Sequence, residues 1–324
     1  MEARFADSTD TAGPVWDDRE RAALVALLRV RPQRLSWRDI TAEVTAEGSA
    51  RKVWEKYVTP GLFGEEEEPV RHAAHEIAAW NAQGLGFLTF LDGDYPVRLR
   101  EIHEMPPVLF YRGTLVPGER AVSVVGSRAA SERGLGIAAT LARNLVEREI
   151  TVISGLAKGI DTAAHTAALE ARGRTVACLG TGVEMYYPAE NRRLQERIAQ
   201  QGLVLSQFWP DTPPRQQNFP MRNAVMSGYG RATIIVEAGE KSGARIQARQ
   251  AVAHGRQVVL TDFVVANNEW ARELVDRPGV HVAGSTREVM DIVENAVFDQ
   301  QSADDLIARL VELARWSHQQ SNGR

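Results

Sequence analysis

The stretch AVSVVGSRAASERGLGIAATLARNLVEREITVISGLAKGIDTAAHTAALEAR, residues 121–172, decides the fold class. It contains two apolar runs, 121–125 and 150–154, and each is followed by a glycine-bearing turn and a segment with helical spacing of apolar residues. Continuous apolar strands indicate a sheet that is covered on both faces. Because strand and helix alternate, the stretch predicts parallel strands joined by helical crossovers.

The same alternation continues toward the carboxyl end of the chain. The further strand-like runs are RTVACLGTG (174–182), GLVLSQF (202–208), RATIIVEAG (231–239) and RQVVLTDF (256–263), with helix-like segments between them. Two short strands within 86–116 precede the pattern, and a helix–strand–helix ends it near 297. We therefore expect a doubly wound α/β domain over residues 85–297 with a mostly parallel sheet.

The flanking segments differ in character. Residues 18–84 predict a small N-terminal helical domain with an acidic linker, because Ser36 and Asp39 form a capping-box pattern and Glu65–Glu68 are four consecutive glutamates. Residues 1–17 lack periodicity and are expected to be a disordered tail. Residues 298–324 predict a C-terminal amphipathic helix.

Composition points to a soluble cytoplasmic protein. The chain has 324 residues, of which 44% are hydrophobic, and no apolar run is long enough to span a bilayer. The acidic N-terminus does not resemble a secretion signal. The single cysteine, Cys178, excludes a disulfide within the chain and a cysteine-rich metal site. We expect no membrane association and no metal.

Charge is distributed unevenly along the chain. The net charge is −4, yet residues 120–262 carry 18 basic against 12 acidic side chains, while residues 1–119 carry 14 against 20. Such asymmetry is compatible with a polyanionic partner for the central domain, and equally with ordinary variation between segments.

Glycine-bearing turns follow several of the predicted strands. In an open parallel sheet, ligands bind beyond the carboxyl ends of the strands, where glycine permits close backbone approach and helix N-termini offer N–H groups to phosphate. One such turn is ordinary turn chemistry, but four on one edge predict a phosphate-binding rim. Its candidate residues are Gly126, Ser127, Arg128, Ser154, Gly155, Lys158, Gly159, Gly180, Thr181, Gly182, Glu237, Ser242 and Gly243.

Cofactor fingerprints are absent from these turns. The first turn lacks the G-x-G-x-x-G spacing of dinucleotide sites, and no GxxxxGK[ST] sequence is present, so we expect no cofactor. Asp161 and His165 lie four residues apart on a predicted helix and are either an acid–base pair or a helix cap beside a packed histidine. We expect no catalytic residue, and we interpret Cys178 as a small buried hydrophobe.

The segment WPDTPPRQQNFPMRNAVMSGYG (209–230) is the most unusual in the chain. Its prolines predict a rigid loop that carries Phe219 at the edge of the sheet, beside Asn218, Arg222 and Asn223. An exposed phenylalanine in that position can stack on a base. The alternative, in which Phe219 fills the core below the loop, is equally compatible with the composition.

The ordered motifs of the chain resemble those of the DNA-processing protein A (DprA/Smf) family. They are VGSR (125–128), SGLAKGIDTAAH (154–165), LGTG (179–182), YPAEN (187–191), NFPMRN (218–223) and VEAGEKSGA (236–244). The preceding LDGDYPVRLREIHEMPPVLFYRGTL (91–115) is also similar to that family, so that the resemblance covers about residues 86–262.

The resemblance implies a Rossmann-like domain that binds single-stranded DNA, forms a homodimer and helps to load a RecA-type recombinase in natural transformation. It implies DNA contacts for Arg128 and Phe219. The surrounding pocket of the family is matched by Ser127, Ser154, Gly155, Asn218, Arg222 and Asn223.

The chain departs from the family pattern at several positions. Ala224 stands where a second arginine is usual, Gln216 where a basic residue is usual, and Gln247 where a threonine is usual. These departures imply weaker DNA binding and leave open a role in the handling of phage or mobile-element DNA. The alternative functions are a nucleotide sensor or hydrolase that uses Ser127, Asp161 and Glu237, and a module that recruits partners through its acidic flanks and C-terminal helix.

Overall fold

The computed structural model describes residues 16–58 and 67–297. These residues form two compact units, one that extends to Gly93 and one that begins at Asp94. Of the predicted tail, only Trp16 and Asp17 are described, and the predicted C-terminal helix of residues 298–324 lies outside the described residues.

The first unit consists of four helices and a short strand: α1 (Asp18–Val30), α2 (Trp37–Glu47), α3 (Ala50–Tyr57), α4 (Glu68–Ala82) and β1 (Gly86–Thr89). The predicted capping box is confirmed, because Ser36 and Asp39 exchange hydrogen bonds at the start of α2. The buried carboxylate of Glu20 accepts hydrogen bonds from Ser49 Oγ and Ala50 N, which fixes the start of α3 against α1.

The second unit is an α/β domain. Its strands are β2 (Val108–Gly113), β3 (Ala121–Val125), β4 (Thr151–Ser154), β5 (Thr175–Cys178), β6 (Leu203–Ser206), β7 (Ala232–Ile235), β8 (Gln257–Thr261) and β9 (Val280–Ala283). Its helices are α5 (Val97–Arg100), α6 (Glu132–Glu147), α7 (Ile160–Glu170), α8 (Arg192–Gln201), α9 (Asn218–Tyr229), α10 (Gly243–Ala253), α11 (Asp262–Asn267), α12 (Glu269–Val275) and α13 (286–297).

The strands of this unit follow the order β2-β6-β5-β4-β3-β7-β8-β9. Strand β2 runs antiparallel to β6, and the other neighbouring pairs are parallel. The predicted doubly wound, mostly parallel α/β fold is therefore confirmed. The chain builds outward from β3 in one direction through β6 and then returns to place β7 on the other side of β3.

Both faces of the sheet are covered. Val122 and Val124 of β3 pack in one apolar cluster with Leu141 and Leu145 of α6 and with Val293 of α13. The intervening residue, Ser123, points to the opposite face, where its hydroxyl donates to the carbonyl of Met226 in α9. Because α6 and α9 lie on opposite faces, a crevice opens at the carboxyl ends of β3 and β7, which is the topological switch point of the sheet.

Candidate nucleic-acid interface

A cleft of about 950 Å³ occupies the switch point. Eight of the candidate residues line it: Gly126, Ser127, Arg128, Phe219, Arg222, Asn223, Ser242 and Gly243. A smaller depression beside it is lined by Gly155, Lys158, Gly180 and Thr181, and it shares Arg128, Phe219 and Arg222 with the cleft. The structure thus brings twelve of the candidates together at one edge of the sheet.

The turn after β3 forms one wall of the cleft and is held by backbone hydrogen bonds. Ser127 N donates to Glu237 O at 2.7 Å, and Ile160 N donates to Ser127 O at 3.2 Å. Gly159 has a φ of +74°, and a β-carbon there would lie 2.3 Å from Ser127 O, so this position requires glycine. The fixed turn leaves the side chain of Arg128 exposed at the rim.

Phe219 lies in the first turn of α9, not in the loop before it. Its half-buried ring packs against Gly180, where a β-carbon would approach within 2.7 Å of the ring. The Arg128 guanidinium lies 5.3 Å from the ring centroid, and the Tyr187 ring centroid lies 5.6 Å away. A helix therefore holds the ring in place, with an exposed cation above it and an aromatic neighbour beside it.

Arg222 forms part of the floor of the cleft. The side chain is 5% exposed, and its Nη1 donates to Gly155 O and, at 3.0 Å, to Cys178 O. A β-carbon on Gly155 would overlap the guanidinium at 1.8 Å. Arg222 therefore joins the carboxyl ends of β4 and β5 from below.

Asp161 lies in the first turn of α7, and the N-cap of that helix is Gly159. The interpretation of Asp161 as the helix cap was therefore wrong. Its buried carboxylate accepts hydrogen bonds from Gly155 N at 3.1 Å and Ala157 N at 3.3 Å. Burial raises the pKa of Asp161, and the attraction of Arg222 opposes that rise. The carboxylate thus fixes the turn that follows β4.

His165 and Cys178 are buried at the base of the same region. His165 Nδ1 lies 2.7 Å from Thr175 Oγ1 on β5, and burial lowers the pKa of His165 to about 3. Burial raises the pKa of the Cys178 thiol to about 12. Near pH 7 the histidine stays neutral and the thiol stays protonated, so both are packed groups. This agrees with the interpretation of His165 as a packed histidine and not as half of an acid–base pair.

Helix α10 supplies the other wall. Its cap, Ser242, accepts a hydrogen bond from Ala244 N at 3.2 Å, and exposed Gly243 is its first residue. The exposed side chains of Lys241 and Arg215 also line the cleft. A helix N-terminus with nearby cations is suited to a phosphate group.

The other candidates do not line either depression. Glu237 turns away, and its carboxylate accepts from Ser131 N at 3.0 Å and from Ser131 Oγ at 2.6 Å. Ser154 is buried and donates to Val124 O, and Gly182 N donates to Thr212 O. Asn218 is buried at the start of α9, and Gly159 supports the turn of Ser127. Of the three residues of the hydrolase alternative, Ser127 and Asp161 line the cleft, whereas the Glu237 carboxylate bonds Ser131 and does not line it.

Tyr187 and Gln247 are two of the residues in the site that were not among the sequence candidates. Tyr187 is 40% exposed and lines both depressions beside Phe219. Gln247 lies on α10 and lines the cleft. Tyr187 belongs to the YPAEN motif, and Gln247 stood out in the sequence only as a departure from the family pattern.

The structure also bears on metal and membrane binding. Within residues 16–58 and 67–297, no three histidine, cysteine, aspartate or glutamate side chains converge as a metal site requires. None of the helices in this described part combines the length and the apolar character needed to cross a bilayer.

Comparison with known proteins places the chain in a family. Residues 86–294 match the model of the family described as DNA recombination-mediator protein A. The DNA processing protein DprA of Streptococcus pneumoniae is 44% identical over 171 residues, which are 52% of this chain and 60% of that protein. The protein Smf of Synechocystis is 43% identical over 180 residues, or 53% of this chain and 44% of that protein. The chain thus matches between two fifths and two thirds of these relatives' lengths.

Solved structures agree with these matches. The X-ray structure of DprA from Streptococcus pneumoniae aligns with a TM-score of 0.62 and 29% identity, and the alignment covers 85% of this chain and 95% of that one. A structure of DNA processing protein A from Helicobacter pylori, reported for its single-stranded DNA binding mode, aligns with a TM-score of 0.57 and 22% identity over 66% of this chain and 96% of that one, a likeness of fold. The match of residues 86–294 to the family model shows that the chain belongs to the DNA recombination-mediator protein A family.

Proposed function

We propose that the chain binds single-stranded DNA along the carboxyl edge of its sheet and mediates DNA processing and recombination. The observation that carries this proposal is the placement of Phe219, a half-buried ring held by a helix between an arginine and a tyrosine. A base that stacks on such a ring contributes about 1–3 kcal/mol, and every base has a face that can stack.

The exposed cations at the rim are suited to the phosphates of the same DNA strand. Arg128, Lys241 and Arg215 are exposed and line the cleft, and the N-terminus of α10 adds N–H donors. Lys158 contributes less than the sequence suggested, because its ammonium pairs with Glu190. Three cations imply a slope of log K against log salt of roughly −2 for a single strand.

The family supplies the wider proposal. We infer that the chain acts in the cytoplasm as a homodimer and that its partner on DNA is a RecA-type recombinase. The Helicobacter pylori relative is described by its single-stranded DNA binding mode, and the residues of this chain's own rim support the same ligand class.

Titrations of a labelled single strand at two salt concentrations test the rim. We expect Arg128→Ala to weaken binding to every sequence about equally and to reduce the salt slope by about 0.7. Arg193→Ala is the matched control, since Arg193 is exposed on α8 and does not line the cleft. Equal binding by the Arg128 variant and the parent would contradict the proposal.

Phe219→Leu tests the stacking contact. We expect roughly a tenfold loss of affinity. Phe263→Leu is its control, because Phe263 is 41% exposed, also lies against an arginine, Arg133, and is outside the cleft. A lower melting temperature with unchanged affinity would mean that Phe219 only fills the fold.

A further inference from the structure

Gln247 is a buried amide without a partner at the wall of the cleft. It lies in the second turn of α10, lines the cleft and is 1% exposed. Neither its Nε2 nor its Oε1 has a hydrogen-bond partner among the described residues. An unpaired buried amide destabilises a fold, so its presence calls for an explanation.

The other buried polar side chains of the cleft are engaged. Asp161 accepts from two backbone N–H groups, and Arg222 donates to two carbonyls. Asn223 accepts from Arg222 Nε at 3.1 Å. These three hold the fold together, whereas Gln247 has donor and acceptor capacity that the described fold does not use.

The surroundings of Gln247 suit a base. Val125 and Met226 line the same cleft, are buried and supply apolar surface. Ser242 and Gly243 mark the N-terminus of α10, one turn before Gln247, where a phosphate is favoured. The volume of about 950 Å³ lies within the range of sites that take whole small molecules. One nucleotide therefore has places for both its phosphate and its base.

We propose that Gln247 recognises the edge of one adenine of the bound strand. The proposal rests on the proposed function and gives the cleft a base preference. An amide presents one donor beside one acceptor, which matches N7 and N6 of adenine, whereas the same edge of guanine presents two acceptors. The terminal torsion of glutamine is soft, so the amide can orient its donor and acceptor to match those of the adenine edge.

The test compares Gln247→Met with Gln250→Met. Methionine has nearly the length of glutamine but neither donor nor acceptor. Gln250 lies on the same helix outside the cleft, and its Nε2 donates to Pro220 O at 3.0 Å. Affinities of the two variants and the parent are measured for oligo(dA), oligo(dC), oligo(dT) and an abasic strand of equal length.

The parent is expected to bind oligo(dA) most tightly. Gln247→Met should lose about tenfold on oligo(dA), much less on the pyrimidine strands and nothing on the abasic strand. Its melting temperature should equal or exceed that of the parent, because an unpaired amide has been removed. Gln250→Met should melt lower, since it loses a hydrogen bond, and should bind as the parent does.

Other results overturn the inference in recognisable ways. Unchanged binding of oligo(dA) by Gln247→Met refutes it and leaves the proposed function standing if Arg128→Ala still weakens binding. An equal loss on all strands, including the abasic one, assigns Gln247 to phosphate or to folding and also refutes it. Displacement of the strand by free dAMP, but not by dTMP, at similar concentration would show that a free nucleotide is the ligand. A parent that binds none of the strands would refute both proposals.

Discussion

Replacing Arg222 by methionine tests whether this arginine supports the cleft or contacts DNA. Its guanidinium donates to Gly155 O, Cys178 O and Asn223 Oδ1. Methionine fills similar space without a donor. The variant therefore leaves three acceptors without their donor and removes the positive charge that attracts the Asp161 carboxylate.

The expected loss of stability is large. Each buried acceptor that is left without its donor destabilises a protein by about 1–3 kcal/mol, so the loss of a donor shared by three acceptors is expected to cost about 3–5 kcal/mol. In a domain of 150–250 residues, each kcal/mol lowers the melting temperature by about 2–4 °C. We therefore expect the second unit of Arg222→Met to melt roughly 10 °C below the parent.

Thermal unfolding followed by circular dichroism measures this difference. Arg222→Lys should recover part of the loss, because it keeps the charge but cannot donate to both carbonyls from a planar group. Arg193→Met, on the exposed face of α8, should melt as the parent does. An Arg222→Met protein with an unchanged melting temperature and lost DNA binding would refute the reasoning, since the arginine would then act on DNA directly.

Three further changes probe the same edge of the sheet. Gly180→Ala places a β-carbon 2.7 Å from the ring of Phe219. We expect several-fold weaker binding of a labelled DNA strand. Unchanged affinity would show that the position of the ring is not important for DNA binding. Glu237→Ala removes the acceptor of Ser131 N and Oγ, and chemical denaturation should show a loss of about 1–2 kcal/mol, with no loss if the bridge is dispensable. His165 has a pKa of about 3 in the fold and about 6.5 when unfolded. As the pH falls, the unfolded state therefore binds a proton before the folded state does. The free energy of unfolding should fall by about 1.4 kcal/mol for each pH unit below about 6. His165→Gln should flatten that slope in denaturation measured between pH 4 and 7, and an unaltered slope would assign the acid sensitivity to other groups.

The fold was predictable because its signals are local and repeated. The apolar runs at 121–125 and 150–154 lie in buried strands β3 and β4, and the glycine turns after them lie at one edge. The capping box of Ser36 and Asp39 also formed as expected. Each of these features depends on neighbours in sequence, which the sequence alone displays.

The candidate site was only partly predictable, because the direction of a side chain depends on distant contacts. The NFPMRN motif predicted one group of ligand-binding residues. In the structure, α9 directs Arg222 to the buried carboxyl ends of β4 and β5 and leaves Phe219 at the rim. The pairing of Lys158 with Glu190 joins two segments that are far apart in the sequence. Gln247 was visible in the sequence only as a departure from the family pattern, since its unpaired amide is a property of the packed helices.

The contact between Gly155 and Arg222 also constrains how the chain can change during evolution. A side chain at position 155 collides with the guanidinium, and loss of the guanidinium opens a void beneath two strand ends. Each single change is therefore disfavoured, while a simultaneous change at both positions fills the void with the new side chain. The two positions, 67 residues apart, should vary together or remain fixed together across lineages.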